Sequence, residues 1–406
     1  MASPRDPAIL VFTILFPHPG QPQAGVFIRA RMFRVAQTLP LSVVAPVPWF
    51  PLQGLIRRFR PHFRPPAPRQ ETQQGIRVYH PRYFSVPGFL KGLDGWFLAL
   101  SSYRLVRRLR RQGQVDLIDA HFAYPDGYAA TLLGRWLDIP VTITLRGTEV
   151  PQSRQPVLRR RLLEALRRAD GIFSVAEALR RHVAGLGIDP ERVQVVGNGV
   201  DLDHFQPMPR EQAREALGLP LDGPVLVSVG GLVERKGFHR VIECLPALRA
   251  QFPSIVYLIV GGGGIEGNME PELRSQVATL GLESAVMFTG PLPPEKLKIP
   301  LSAADLFVLA TRNEGWANVF LEAMACGLPV VSTDVGGNRE VVSEPALGTL
   351  VPFGDHEALG TAIAAALGRD WDRQAILEHA RANTWDQRVA LLVAAFHRLT
   401  DPGESI

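Results

Sequence analysis

Only two cysteines occur in this chain of 406 residues. Cys244 and Cys326 stand far apart and make no CxxC, so neither a disulfide scaffold nor a thiolate metal site is expected, and a reducing compartment suits the sequence. Apolar runs long enough to cross a bilayer are missing too; residues 8–16 have the length of a buried strand. The few residues before them are polar and carry no apolar core of a secretory signal, so none is expected. No grouping of His, Asp and Glu has metal-ligand spacing, so no metal site is expected. With 46% hydrophobic and 20% charged residues the composition is that of a soluble globular protein. The length exceeds one ordinary core, so two domains are expected.

Charge is divided unevenly. Residues 1–200 hold 28 Lys and Arg against 13 Asp and Glu, a net of +15, whereas residues 201–406 hold 16 against 26, a net of −10. A basic first half points to an anionic partner: a membrane surface, a phosphorylated acceptor or a nucleic acid. No nucleic-acid motif accompanies it, so nucleic acid is not expected.

Short apolar runs alternate with helical patterns. Strands are predicted at 9–16, 41–46, 115–120, 140–145, 171–175 and 193–196, with helices at 26–38, 96–111, 127–136, 157–168 and 177–186. After a linker at 201–217, marked by Pro207 and Pro209, strands are predicted at 225–229, 255–260, 285–289, 306–309, 329–333 and 349–351. Helices follow at 238–251, 271–280, 295–302, 319–325 and 357–367, and a last one at 385–399. Such alternation predicts α/β architecture with two parallel sheets covered on both faces. The Pro- and Arg-rich stretch 49–75 interrupts the rhythm and reads as an irregular excursion.

The most informative segment is 311–329, TRNEGWANVFLEAMACGLP. It follows a predicted strand. Asn318 reads as an N-cap, and Gly327 with Pro329 closes the helix. The loop from Glu314 to Asn318 would then present free amides at a helix N-terminus, which suits a diphosphate. Glu314 stands at the carboxyl end of a strand, where open sheets bind ligands. Glu322, one turn inside the helix, could accept hydrogen bonds from a ribose. Arg235 and Lys236 lie in GGLVERKG (230–237), after another strand, and could neutralise a diphosphate.

Segment 311–329 resembles the EX7E element of the family 4 retaining glycosyltransferases of the GT-B fold, with Glu314 and Glu322 as its two acids. GGLVERKG is similar to that family's donor-phosphate loop, although many members carry Arg where Gly231 stands. Further likenesses are VGNGVD (196–201), VGGGG (260–264), FTG (288–290) and VGGNRE (335–340). AHFAYPDG (120–127) is similar to capsule and teichuronic-acid-type members. The resemblance implies two Rossmann-like doubly wound domains facing a cleft: an acceptor domain, 1–205, on which 386–406 packs back, and a donor domain, 206–385. It implies catalytic roles for His121, Glu314 and Lys236. It implies nucleotide-sugar contacts from Gly25, Arg235, Lys236, Leu292, Glu314, Gly315, Asn318, Val319 and Glu322, and acceptor contacts from Arg146, Thr148 and Glu149. His121 would face the cleft from the end of its strand, with Asp119 one step deeper on the same face.

The expected reaction is hexosyl transfer with retention, independent of metal and cofactor. The donor is a UDP-sugar ahead of GDP-mannose; the acceptor is a saccharide or a lipid-linked molecule. Such an enzyme belongs in cell-surface polysaccharide synthesis, in the cytoplasm at the inner face of the membrane. Two other readings compete: a sugar-nucleotide epimerase of the same fold, and a non-catalytic partner subunit. The intact Glu314, Glu322, Lys236 and His121 speak against the second.

Overall fold

A computed structural model describes residues 5–22, 24–51, 53–59, 63–264 and 267–401. The chain divides into two compact units, Met1–Gly197 with Asp386–Ile406, and Asn198–Trp385.

The first unit contains β1 (Ile9–Phe12), β2 (Leu41–Val44), β3 (Val47–Trp49), β4 (Gln70–Gln73), β5 (Ile76–Tyr79), β6 (Arg82–Phe84), β7 (Leu117–His121), β8 (Val141–Leu145), β9 (Gly171–Ser174) and β10 (Val193–Val195). Eight of them form one sheet in the order β10-β9-β8-β7-β1-β2-β5-β4. All its pairs are parallel except β4 with β5. The supposed excursion at 49–75 is thereby corrected: it supplies the helix Gln53–Phe59 and β4. Gln74 and Gly75, both at positive φ (49° and 83°), make the tight turn into β5, as a two-residue hairpin requires. The strands β4 and β5 are four residues each and set among Pro and Arg, so their apolar signal is weak.

The second unit holds β11 (Val225–Val229), β12 (Val256–Val260), β13 (Val286–Gly290), β14 (Leu306–Leu309), β15 (Val330–Thr333) and β16 (Gly348–Val351), in the order β13-β12-β11-β14-β15-β16 and parallel throughout. Successive strand side chains point to opposite faces. Val225, Val227, Val229, Leu258, Phe307 and Leu309 accordingly enter one core, while Leu226, Tyr257, Ile259, Leu306 and Val308 enter the other. Both faces are buried, which is why these strands read as unbroken apolar runs.

The boundary falls after Gly197 rather than after residue 205. Val200 bridges to Thr384, and Phe205 belongs to a core of the second unit. The expected linker is also shorter than 201–217, because Arg210–Leu217 is a helix. Its Arg214 is buried, donates to the carbonyls of Ala303, Leu221 and Gly223, and pairs with Asp305 at 2.7 Å. A charged residue at a core position hid this helix from apolar periodicity. The helix Trp385–Thr400 returns to the first unit, where Val389, Leu392, Ala395 and Phe396 enter its core.

Candidate functional site

In the second sheet the chain builds β12 and β13 on one side of β11 and β14 to β16 on the other. Ligands of open parallel sheets bind outside the carboxyl ends at such a switch point. Residues 230–237, after β11, and 310–317, after β14, both lie there.

Their backbones are pressed together. Gly237 has φ 76°, and a Cβ on it would stand 2.0 Å from the Ala310 carbonyl oxygen. The Arg312 amide donates to the Arg235 carbonyl at 2.7 Å. Only glycine tolerates both that dihedral and that approach. This packing delivers Arg235 and Lys236 to Glu314. The Glu314 carboxylate accepts at Oε1 from Lys236 Nζ (2.6 Å), Thr311 Oγ1 (3.2 Å) and Arg235 Nη1 (3.4 Å), and Glu314 is only 9% exposed. Gly336, φ 53°, crosses above it; a Cβ there would lie 1.8 Å from the Glu314 carbonyl oxygen.

After Glu314, the amides of Gly315, Trp316, Ala317, Asn318 and Val319 donate to no protein group among the described residues. They lead into the helix Asn318–Ala325. Free amides at a helix N-terminus beside two cations are a ready anion-binding arrangement. Asn318 does not cap that helix as expected. It is the first helical residue, and its Oδ1 accepts from Asn198 Nδ2 at 2.8 Å, so a long-range amide pair replaces the local cap. Asn198, Thr311 and Gly336 were assigned no role in the sequence analysis, though each stands in a quoted motif. Glu322 lies one turn further on, partly buried. Desolvation pushes its carboxyl up to about 7, against the opposing pull of Lys236. Leu292 and Val319 are partly buried against the core of this unit.

In the first sheet β2 and β7 flank β1 on opposite sides, and His121 ends β7. His121 was expected to face the cleft from the end of its strand; its side chain is fully buried. Its Nδ1 accepts from Arg146 Nε at 3.1 Å, and its Nε2 stands 3.5 Å from Asp119 Oδ2. Burial, then the charges of Arg146 and Arg31, hold it well below the usual histidine range. Asp119 lies on the same face as expected; its Oδ1 accepts from Thr142 Oγ1 at 2.8 Å, and burial raises its carboxyl to about 6.

Glu149, expected at the acceptor, is a buried clamp instead. Its two oxygens accept the amides of Ala123 (3.1 Å), Arg146 (3.2 Å) and Gly147 (2.7 Å), tying the loop after β7 to the loop after β8. Three backbone amides engage that carboxylate, one on Oε1 and two on Oε2. Thr148 beside it is exposed. Gly25 was expected to let a ligand approach; at φ 67° it instead lets its own chain approach, since a Cβ would lie 2.2 Å from the Leu15 oxygen. Among the described residues no group of three or more His, Cys, Asp or Glu could hold a metal.

Residues 20–204 match the model of Glycosyltransferase Family 4, and residues 209–383 that of Glycosyl transferases group 1. The chain is 32% identical over 339 residues to TuaC of Bacillus subtilis, named as a teichuronic acid biosynthesis glycosyltransferase, and covers 81% of each sequence. Among solved structures it is similar to sucrose-phosphate synthase from Thermosynechococcus elongatus, with a TM-score of 0.76 and 20% identity over 97% of this chain and 99% of the other. It is also similar to Anabaena HepE in complex with UDP-glucose, with a TM-score of 0.71 and 21% identity over 96% and 99%. These two likenesses show the GT-B fold. With the two family models covering one unit each and the TuaC likeness spanning both, the chain belongs to the family 4 glycosyltransferases.

Proposed function

We propose that the second unit holds a nucleotide-sugar and that the enzyme transfers its hexosyl group, with retention, to a saccharide or lipid-linked acceptor held by the first unit. One observation carries this: Arg235, Lys236 and the free amides 315–319 converge on Glu314 at the switch point. They form a cradle for a diphosphate with an acid beside it. In this reading Lys236 and Arg235 stabilise the leaving nucleotide, Glu314 positions the sugar, and Glu322 accepts from the ribose. The departing phosphate oxygen takes the acceptor's proton on the same face, so no enzymic nucleophile is assigned. UDP-sugars rank ahead of GDP-mannose, consistent with the UDP-glucose bound to HepE. Thermal shift with a panel of UDP- and GDP-sugars, then turnover with lipid-linked acceptors and anomeric analysis of the product, tests it. A free epimerised sugar nucleotide, formed without acceptor, would establish the epimerase instead.

The cations at the donor site make a divalent ion unnecessary for charge neutralisation. Turnover is therefore expected to persist in excess EDTA. Activity lost to the chelator and restored by Mg²⁺ or Mn²⁺ would reject metal independence.

The lipid-linked acceptor and cell-surface role are supported by one face of the first unit. No described helix is long and apolar enough to cross a membrane, so contact would be peripheral. The segment 55–64, which mixes arginines with aromatic and aliphatic residues, is a poor anchor: residues 60–62 lie outside the described residues, Phe63 packs edge-on against Phe50, and Arg57 donates to the Phe63 carbonyl. Phe59 is exposed at 82% and Leu55 at 51%. The helix Asp94–Arg111 presents a better surface. Trp96 and Leu100 are exposed near its start, beside Phe89, Leu90 and Leu93, and Arg104, Arg107, Arg108 and Arg111 are exposed towards its end. Arg110 turns inward to the Val115 carbonyl and Asp116. Apolar residues would enter the interface while each arginine adds on the order of 1 kcal/mol near anionic headgroups. Co-sedimentation with anionic vesicles is expected at low salt, weakened by high salt and by Leu100→Glu. Equal, negligible pelleting with neutral and anionic vesicles would reject membrane contact and leave the glycosyltransferase assignment intact.

A further inference from the structure

We propose that Arg146 is a positioning residue that holds His121 as the neutral tautomer protonated on Nε2, with Asp119 receiving that N–H side of the ring. The argument starts from donors and acceptors. A guanidinium has N–H donors and no acceptor. Arg146 Nε is 3.1 Å from His121 Nδ1, so Nδ1 must offer its lone pair, and the single proton of a neutral imidazole must sit on Nε2. That atom is buried and has no hydrogen-bond partner among the described residues; Asp119 Oδ2 stands 3.5 Å from it. A second proton on the ring would have to occupy Nδ1, where the Arg146 N–H already points.

The rest of the surroundings oppose an imidazolium as well. The charged and titratable groups acting on the ring are Asp119 on β7, Arg146 after β8, and Arg31 on the helix Val26–Val35. Arg31 is itself fully buried, with Arg388 of the C-terminal helix and Asp119 acting on it. Glu149 acts on Arg146 but is engaged by three amides. The cations outnumber the carboxylate that faces the ring. When the pH falls, the proton taken up by this group therefore goes to Asp119, whose carboxyl burial raises to about 6, and the imidazole stays neutral. Resting on the proposed transferase reading, the consequence is that His121 contributes as a neutral hydrogen-bonding ring and carries no proton between substrates.

Histidine-selective ¹⁵N labelling of the full chain, with His121→Gln to assign the signal, tests this without any substrate. In the wild type the ring is expected to show the Nε2–H pattern and no titration between about pH 5 and 9. Asp119→Asn is expected to keep that pattern, because the amide carbonyl can turn to Nε2–H while the Thr142 hydroxyl accepts from the amide nitrogen. Arg146→Gln offers both a donor and an acceptor; it should yield mixed tautomers and raise the ring's pKa relative to the wild type, while burial and Arg31 still hold it below the ordinary histidine range. If Arg146→Gln does not fold, the wild type and Asp119→Asn still decide. An Nδ1–H tautomer, or protonation of His121 in the wild type near neutral pH, would overturn the proposal. Loss of transferase activity with an unchanged ring signature would bear on the function alone.

Discussion

Lys236→Ala is expected to lower kcat by about 100- to 1000-fold, the range for losing one preorganised charge-stabilising donor, while changing donor affinity by less than about tenfold. The reason is timing. A bound sugar nucleotide already carries charge on its diphosphate, but the bridging oxygen gains more as the glycosidic bond breaks. A cation placed beside that oxygen is worth most in the transition state. Lys236 fits: its Nζ is drawn to the site by a 2.6 Å bond to Glu314, and its side chain is 15% exposed. Arg235 sits further out, 30% exposed and 3.4 Å from the same oxygen, so Arg235→Ala should cause an equal or smaller loss. The alanine variant should fold, since Glu314 keeps Thr311 and Arg235 as donors. Steady-state kinetics with donor binding measured separately decides. A near-normal kcat would remove Lys236 from the phosphate site.

Glu322→Gln is expected to weaken donor binding by about 10- to 100-fold, the equivalent of losing one charged hydrogen bond, and to raise thermal stability above neutral pH. The two effects share a cause. Burial lifts this carboxyl from its ordinary 4.5 to about 7, so the folded protein holds the proton more tightly than the unfolded chain does. For a carboxyl raised on folding, the ionised form is the unfavourable one. Its stabilising contribution is present below about pH 4.5 and is lost as pH rises to about 7, after which the loss is constant. Glutamine cannot ionise, so the difference in Tm between variant and wild type should grow from about pH 5 to 8 and then level off. Calorimetric titration with the donor measures the first effect and thermal unfolding across pH the second. Unchanged donor affinity would take Glu322 out of the ribose site, and a pH-independent Tm difference would contradict its raised pKa.

The sequence made much of this visible, for identifiable reasons. The four inner strands of the second sheet are short runs buried on both faces and the edge strands β13 and β16 are partly buried, so apolar pattern alone located all six. The stretch from Glu314 to Glu322 was legible because loop, helix start and acids are consecutive. Two places were less readable: in the first unit β4 and β5 lie among Pro and Arg, and in the second unit the helix Arg210–Leu217 buries Arg214, whose charge is met by Asp305, 91 residues away.

By itself the sequence determined the class of fold, the presence of two parallel sheets, and the family, because periodicity, glycine placement and contiguous motifs are local properties of a chain. Only the tertiary structure decided what partners the polar side chains found. Lys236 and Glu314 meet across 78 positions, Asn198 and Asn318 across 120, and Arg146 and His121 across 25. Which acid becomes a clamp, as Glu149 does, and which imidazole is turned away from water, as His121 is, depends on desolvation and on donors brought in by other strands. Those are properties of packing, and no spacing along the chain encodes them.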